Sequence, residues 1–308
     1  MAEKKVWQTH NPEYHKTVLL EETIHYLDPQ PGKFYIDATF GGGGHTRAIL
    51  EAADCKVLAV DWDKEALDKN GPVLQEEFQA RLNLLWGNFA QLPMLMKKFG
   101  YARADGILVD FGTSQHQIME QKGFSFERDT PLDMRMSPAH YRITAADIVN
   151  RASEKELATI FQDYGEERYA YRAARAICER RKVRRFSTTK DLAQVVARVI
   201  PRGKTIKGRK AIHPATRVFQ ALRIVVNKEL DNIHTFLHHI PQVIAPQGQV
   251  VCISFHSLED RLVKQHFREN KHMFDLLTPK VVMPTLEETA VNPSSRSSRL
   301  RAARYVGE

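Results

Sequence analysis

Residues Phe34 to Thr46 read FYIDATFGGGGHT. The apolar run Phe34–Ala38 predicts a short buried strand, and Thr46–Ala53 predicts a helix that starts as soon as the glycines end. Four consecutive glycines, Gly41 to Gly44, join the two. Without a Cβ the backbone there can take positive φ, and a ligand can lie directly against the main chain.

The same rhythm continues outward from this turn. Lys56–Val60 (KVLAV), Leu82–Trp86 (LNLLW) and Gly106–Val109 (GILV) predict further buried strands, with helices over Lys64–Phe78 and Pro93–Phe99 between them. Val18–Leu27 predicts a leading helix. Strands and helices alternating at this spacing indicate a doubly wound, Rossmann-like α/β sheet. The rhythm stops after Val109. Phe111–Pro138 has loop character, Ser153–Ile200 is mostly helical, Pro201–Ala211 is a basic loop, and one helix is expected from His213 to about His239. A strand signal returns at Gln249–Phe255, followed by a helix in which Ser257 and Asp260 have the spacing of a capping box. The expected organisation is an α/β domain of residues 1–114 and 216–308, interrupted by a helical, basic insertion over 115–215.

Composition narrows the class. The chain has 308 residues, 43% of them hydrophobic and 27% charged, with 16 Gly and 14 Pro, which excludes collagen-like and low-complexity chains. No apolar run has the length of a membrane span. The N-terminus has no apolar signal core and carries Glu3 and Glu13, so a cytoplasmic protein is expected, with no membrane partner. Cys55, Cys178 and Cys252 lie far apart, so neither a metal cage nor a disulfide framework is expected, and no metal site is assigned. The net charge is +8, but it is concentrated. Residues 168–227 hold seventeen Lys and Arg against Glu179 and Asp191 alone. Focused positive potential of this kind suits a polyanion such as a nucleic-acid backbone. The phosphate-contact candidates are Arg180, Arg181, Lys182, Arg184 and Arg185, with Lys204, Lys207, Arg209 and Lys210; Arg296, Arg299, Arg301 and Arg304 offer a second set.

The glycine turn has an acid partner. Asp61 ends the next strand, twenty residues after Gly41, where a carboxylate can accept both hydrogen bonds of a ribose diol. A dinucleotide fingerprint counted from Gly41 or Gly42 would need its last glycine at Thr46 or Arg47. Asp37 would also repel a pyrophosphate. S-adenosyl-L-methionine (SAM) has no phosphate and is cationic at sulfur and nitrogen, so the acid-then-glycine order favours it. Phe89, after the third strand, is placed to stack on an adenine. Asp110 closes the fourth strand at the lip where an acceptor would meet the methyl group. A nicotinamide-linked oxidoreductase, and an assembly factor that holds SAM and transfers nothing, are the alternative readings.

HKTVLL (15–20), DATFGGGGHT (37–46), GFSF (123–126), PLDMRM (131–136), YGEER (164–168), HPATRVFQALRI (213–224), SFHSLEDR (254–261) and NPSSRSSRLRAAR (292–304) occur in this order. Together they resemble the ribosomal RNA small subunit methyltransferase H (RsmH/MraW) family. The resemblance covers residues 15–304 and implies a class I SAM-dependent methyltransferase with a helical insertion. It further implies methylation of the exocyclic N4 of a cytidine in the decoding centre of 16S rRNA, within the small ribosomal subunit. It places SAM against Gly43, Gly44 and His45, with Asp61 at the ribose, Phe89 beside the adenine, and Asp110 and Gln117 at the methionine end. Where the family reads D-L-G-V-S-S-P-Q, this chain reads DFGTSQHQ (Asp110–Gln117), with His116 in place of a proline.

Cytosine N4 is a weak nucleophile because its lone pair is delocalised into the ring. Asp110 is the candidate catalytic acceptor for its amino hydrogens; holding SAM alone is the other role open to it. Phe124 and Phe126 could face a flipped base or simply pack their loop. Asp133 and Arg135 could order the lip or touch RNA, and a structural ion pair is the favoured reading. His256 is the weakest catalytic candidate, since no acid–base step is needed once an amine attacks a sulfonium.

Overall fold

A computed structural model of the chain describes residues 17–112, 123–202 and 213–307. Gln117, Lys204, Lys207, Arg209 and Lys210 lie outside the described residues. The chain divides into two compact units, Met1–Ser114 with Leu230–Glu308, and Gln115–Glu229.

In the first unit, strands β1 (Phe34–Asp37), β2 (Lys56–Asp61), β3 (Leu82–Trp86), β4 (Ala104–Asp110), β5 (Ile244–Ser254), β6 (Phe274–Leu276) and β7 (Arg299–Tyr305) form a seven-stranded sheet in the order β3-β2-β1-β4-β5-β7-β6. The strands from β3 to β5 are parallel; β7 runs antiparallel to both β5 and β6. Successive side chains point to opposite faces, and the sequence uses this fully. Ile36, Leu58, Val60, Ile107, Val109, Val250 and Cys252 enter one core, with Ile233, Phe236, Leu237 and Ile240 of the helix that precedes β5. Their immediate neighbours Tyr35, Val57, Ala59, Leu108, Val251 and Ile253 enter the other. Helices α1 (Leu20–Leu27), α2 (Gly44–Ala52) and α3 (Lys64–Phe78) cover that second face, and α4 (Leu92–Phe99) contributes to the first. A parallel sheet must be covered on both sides in this way.

The second unit is helical: α5 (Ala145–Arg151), α6 (Glu154–Asp163), α7 (Ala170–Val183), α8 (Thr189–Val199) and α9 (Thr216–Asn227). Leu157, Phe161, Ile177, Leu192, Val196, Val218 and Leu222 form its core. Capping boxes start α5 (Thr144 with Asp147) and α6 (Ser153 with Glu156). The second boundary thus falls at Glu229, against 215 in the sequence reading, because α9 packs into the helical core. The single helix expected from His213 to His239 is two. Lys228 takes φ 49 between α9 and α10 (Glu229–Val243), and a left-handed residue ends a helix. The remaining helices are α11 (Ser257–Glu269) and α12 (Leu286–Val291). The cap of α11 sits one residue earlier than expected. The His256 side chain accepts from the Glu259 N–H and Glu259 answers it, which leaves Ser257 as the first helical residue. Among the described residues no helix is long and apolar enough to cross a membrane.

Candidate active site

Three acids end three adjacent strands: Asp37 on β1, Asp61 on β2 and Asp110 on β4. Parallel pairing brings them to the same edge of the sheet, Asp61 and Asp110 each two residues beyond Ala59 and Leu108, the partners of Asp37, at the carboxyl side where open α/β sheets bind their ligands.

Asp37 is fully buried and holds the glycine turn from below. Its carboxylate accepts from the Thr46 hydroxyl at 2.7 Å and the Thr39 N–H at 3.1 Å. Asp61 holds the turn from the side. Its Oδ2 accepts from the Gly41 N–H at 2.7 Å and its Oδ1 from the Asp63 N–H at 2.8 Å. Asn70 donates to the Gly41 carbonyl at 2.9 Å. A carboxylate offers about four lone-pair sites, so Asp61 can hold the turn through backbone N–H groups and still accept from a ribose hydroxyl. Gly43 sits at φ 77 as the N-cap of α2. At Gly44 a Cβ would fall 1.9 Å from Thr17 Oγ1, so close packing as well as turn geometry demands glycine.

His45 is buried, and its Nε2 lies 3.0 Å from the Val18 carbonyl. Burial pushes its pKa down to about 4, so the ring is neutral and ties the segment before α1 to the turn. Helix geometry leaves the N–H groups of Gly44, His45 and Thr46 without intrahelical partners, and these are the groups that can receive a ligand carboxylate. Phe89 is only 8% exposed, in a turn capped by Asn88. It packs edge-on against Phe111 and Phe236, both at 5.8 Å between ring centroids. Trp62, half-buried and directly after Asp61, lies 6.2 Å from it. Sequence reasoning passed over Trp62, although its place immediately after the acid was the available signal.

Asp110 pairs with Ile253 in register, and its own N–H donates to Thr39 Oγ1 at 2.7 Å. Its carboxylate accepts the Gly112 N–H at a long 3.3 Å. Burial pushes Asp37, Asp61 and Asp110 up to about 7 each; the neighbouring charges of Asp110 and Asp61 add to this at Asp37, Asp63 at Asp61, and Glu259 at Asp110. None of the three forms an ion pair with a described Lys or Arg. A desolvated cluster of carboxylates with no cation in it fits a cationic, phosphate-free ligand and rejects a pyrophosphate.

Elsewhere in the first unit, Arg301 forks onto Asp260, with Nε to Oδ1 at 2.7 Å and Nη2 to Oδ2 at 3.2 Å. In the second unit Arg135 and Asp133 form a forked pair at 2.7 and 2.8 Å. Phe126 stacks on His213 at 4.5 Å and packs edge-on against Phe219. Arg180 donates to the Arg184 carbonyl at 2.6 Å and to Asp191 at 3.1 Å, and Arg181 donates to the Val149 carbonyl at 2.8 Å. Lys182, Arg184 and Arg185 are exposed.

The strand order, the antiparallel β7 between β5 and β6, and the acid-lined turn define a class I SAM-dependent methyltransferase fold with a helical insertion. The sequence matches the MraW methylase family model over residues 13–306. It is 43% identical over 307 residues to the ribosomal RNA small subunit methyltransferase H of Carboxydothermus hydrogenoformans, covering 94% of this chain and 97% of that one. It is 45% identical to the protein of the same name from Thermotoga neapolitana, with 96% and 97% covered. A solved putative rRNA methylase from Clostridium thermocellum aligns over 96% of this chain and 99% of its own at 9% identity, with a TM-score of 0.46. The chain belongs to the MraW methylase family, and its cofactor is SAM.

If these acids face the donor, its binding depends on pH. Each folded-state value lies above the ordinary 3.8, so the folded protein holds more protons than the unfolded chain between about pH 4 and 7. Stability conferred by these groups is present at the acid end of that window and lost as pH rises through about 7. Binding a cation has the opposite sense, because it needs the ionised carboxylates. SAM affinity is therefore expected to rise about tenfold from pH 5.5 to 7.5, with proton release visible by calorimetry in buffers of different ionisation heat. Affinity that falls over this range would contradict the assignment of these acids to the donor.

Proposed function

We propose that this protein transfers the SAM methyl group to the exocyclic N4 of a cytidine in the decoding centre of 16S rRNA, on the small ribosomal subunit. The observation that carries the proposal is the family match across residues 13–306, joined to an acid at the acceptor end of β4. The relatives named above as small subunit rRNA methyltransferases support the substrate.

In this reading Gly43, Gly44 and the N–H of His45 receive the carboxylate of the methionyl moiety. Asp61 takes the ribose hydroxyls, Phe89 and Trp62 border the adenine, and Gln117 lies toward the methionine end. When bound, SAM supplies an electrophilic methyl on a cationic sulfur. Asp110 accepts a hydrogen bond from the N4 amino group, which draws the nitrogen toward a pyramidal shape with its lone pair directed at the methyl. A charge-assisted bond from a carboxylate and fixed orientation together lower the barrier by roughly several kcal/mol. No general base is required before transfer. The product nitrogen sheds its extra proton afterwards, and a carboxylate with a pKa of about 7 can receive it.

Incubation with methyl-tritiated SAM tests the substrate. Label is expected in small subunits that lack the modification and not in large subunits; label confined to large subunits or to protein overturns the reading.

The RNA contacts assigned to the second unit are narrowed by the internal bonds of Arg180 and Arg181. Replacing Lys182, Arg184 and Arg185 together by alanine should weaken RNA binding by about tenfold or more at 0.1 M salt. It should also reduce the slope of log K against log salt by about two to three, with SAM affinity unchanged. An unchanged slope removes these residues from the interface.

A further inference from the structure

The first half of α7 carries a face that the fold does not use. From Arg168 to Cys178 the sequence is RYAYRAARAIC, with no acid. Ala170, Ala173, Ala174, Ile177 and Cys178 point into the helical core. Arg168, Tyr169, Tyr171, Arg172 and Arg175 are left on the surface. Tyr171 is 62% exposed and Tyr169 37%. The Arg172 guanidinium lies over the Tyr169 ring, 5.4 Å from its centroid. Tyr171 and Arg175 are four apart and share one side of the helix, as Arg172 and Arg175 do at three apart.

The fold engages these cations only lightly: Arg172 lies on the Tyr169 ring, and Arg175 acts on Glu179 through space. Arg168 and Arg172 flank the amino end of α7, whose first turn carries no acid of its own; the Glu167 carboxylate just before it accepts the Tyr169 N–H at 2.8 Å. Helices α5, α6 and α8 all carry acids in the first turn. Arg168, Arg172 and Arg175 form no ion pair with a described residue, whereas Arg180 and Lys182 on the same helix have Asp191 and Glu179. Two flat rings exposed among guanidinium groups that form no ion pair with a described residue suit a ligand with phosphates and open π faces. A duplex offers phosphates with its bases closed in the stack. An unpaired strand offers both.

We propose that this face binds an unpaired segment of RNA, with Tyr171 and the Tyr169–Arg172 pair stacking on bases and Arg168 and Arg175 holding phosphates. The inference rests on the rRNA substrate proposed above and specifies the state in which that RNA is held. The test uses the full chain, with a fluorescein-labelled twelve-nucleotide single strand and the matching RNA duplex read by anisotropy. Tyr171→Ala should lose about tenfold in affinity for the single strand and little for the duplex, and Tyr171→Trp should restore it. Arg172→Ala with Arg175→Ala should weaken both RNAs. Wild-type affinity for the single strand in Tyr171→Ala overturns the proposal, as does an equal loss on both RNAs, which would mean charge alone. Unchanged RNA binding with lost binding to whole subunits would indicate a protein partner and also overturn it. Methyl transfer by the wild type, run in parallel, separates the two claims: its absence defeats the reaction, whereas its presence beside an unaffected Tyr171→Ala defeats only the stacking face.

Discussion

Asp110→Ala is expected to lower kcat/KM for methyl transfer by about a thousandfold, equivalent to about 4 kcal/mol of transition-state stabilisation. The side chain ends β4 at the lip, is pushed up to about 7 by burial, and makes one long bond, to Gly112, among the described residues. Little of the fold depends on it, so the variant should melt close to the wild type. Its two candidate roles separate in the kinetics. If Asp110 aligns the acceptor amine, kcat falls and the SAM Kd stays within a few-fold; if it holds the donor, Kd carries the loss. Asp110→Asn keeps the shape and removes the charge, and should recover only a small part of the rate. Turnover of the alanine variant within about threefold of wild type would exclude both roles.

Asp61→Asn should raise the Kd for SAM by about a hundredfold. Both carboxylate oxygens already accept backbone N–H groups, from Gly41 and Asp63. An amide has one accepting oxygen, so its NH2 must face one of these donors. That mismatch should cost about 1–3 kcal/mol of stability. It also removes an acceptor from the ribose diol. A thermodynamic cycle separates the loop effect from the ligand effect. A 2′-deoxy analogue of SAM should bind the wild type about tenfold more weakly than SAM and bind Asp61→Asn no more weakly than SAM does. If the analogue loses affinity equally in both proteins, Asp61 serves the turn and not the ribose.

The parallel half of the fold was legible because its inner strands are buried on both faces and read as apolar runs, and the edge strand β3, exposed at Asn83 and Trp86, is still mostly apolar. KVLAV became β2 and LNLLW became β3 almost to the residue. The antiparallel end was not. β7, RLRAARY, mixes arginine with apolar residues, and its Arg301 is paired with Asp260, 41 residues away. That pairing carries no local signal. β6 has three residues and cannot show a period. The break at Lys228 was hidden because α9 and α10 are both amphipathic, and a left-handed lysine has no signature of its own. In the site, the meeting of Asp61 with the glycine turn followed from spacing, but Asp37 as the clamp on Thr46 needed three dimensions. The pair Asp133–Arg135 is the structural fork that its spacing suggested. The basic run from Arg180 to Arg185 showed charge without showing that three of its members, Arg180, Arg181 and Lys182, have partners within the fold.

The identity of the methylated nucleoside tests the central claim most directly. Small ribosomal subunits lacking the modification would be incubated with the protein and methyl-labelled SAM, the 16S rRNA digested to nucleosides, and the products resolved by mass. Label is expected in N4-methylcytidine at a single site, absent with Asp110→Ala. Label on a ring carbon, on a ribose hydroxyl or on an adenine amino group would contradict that claim.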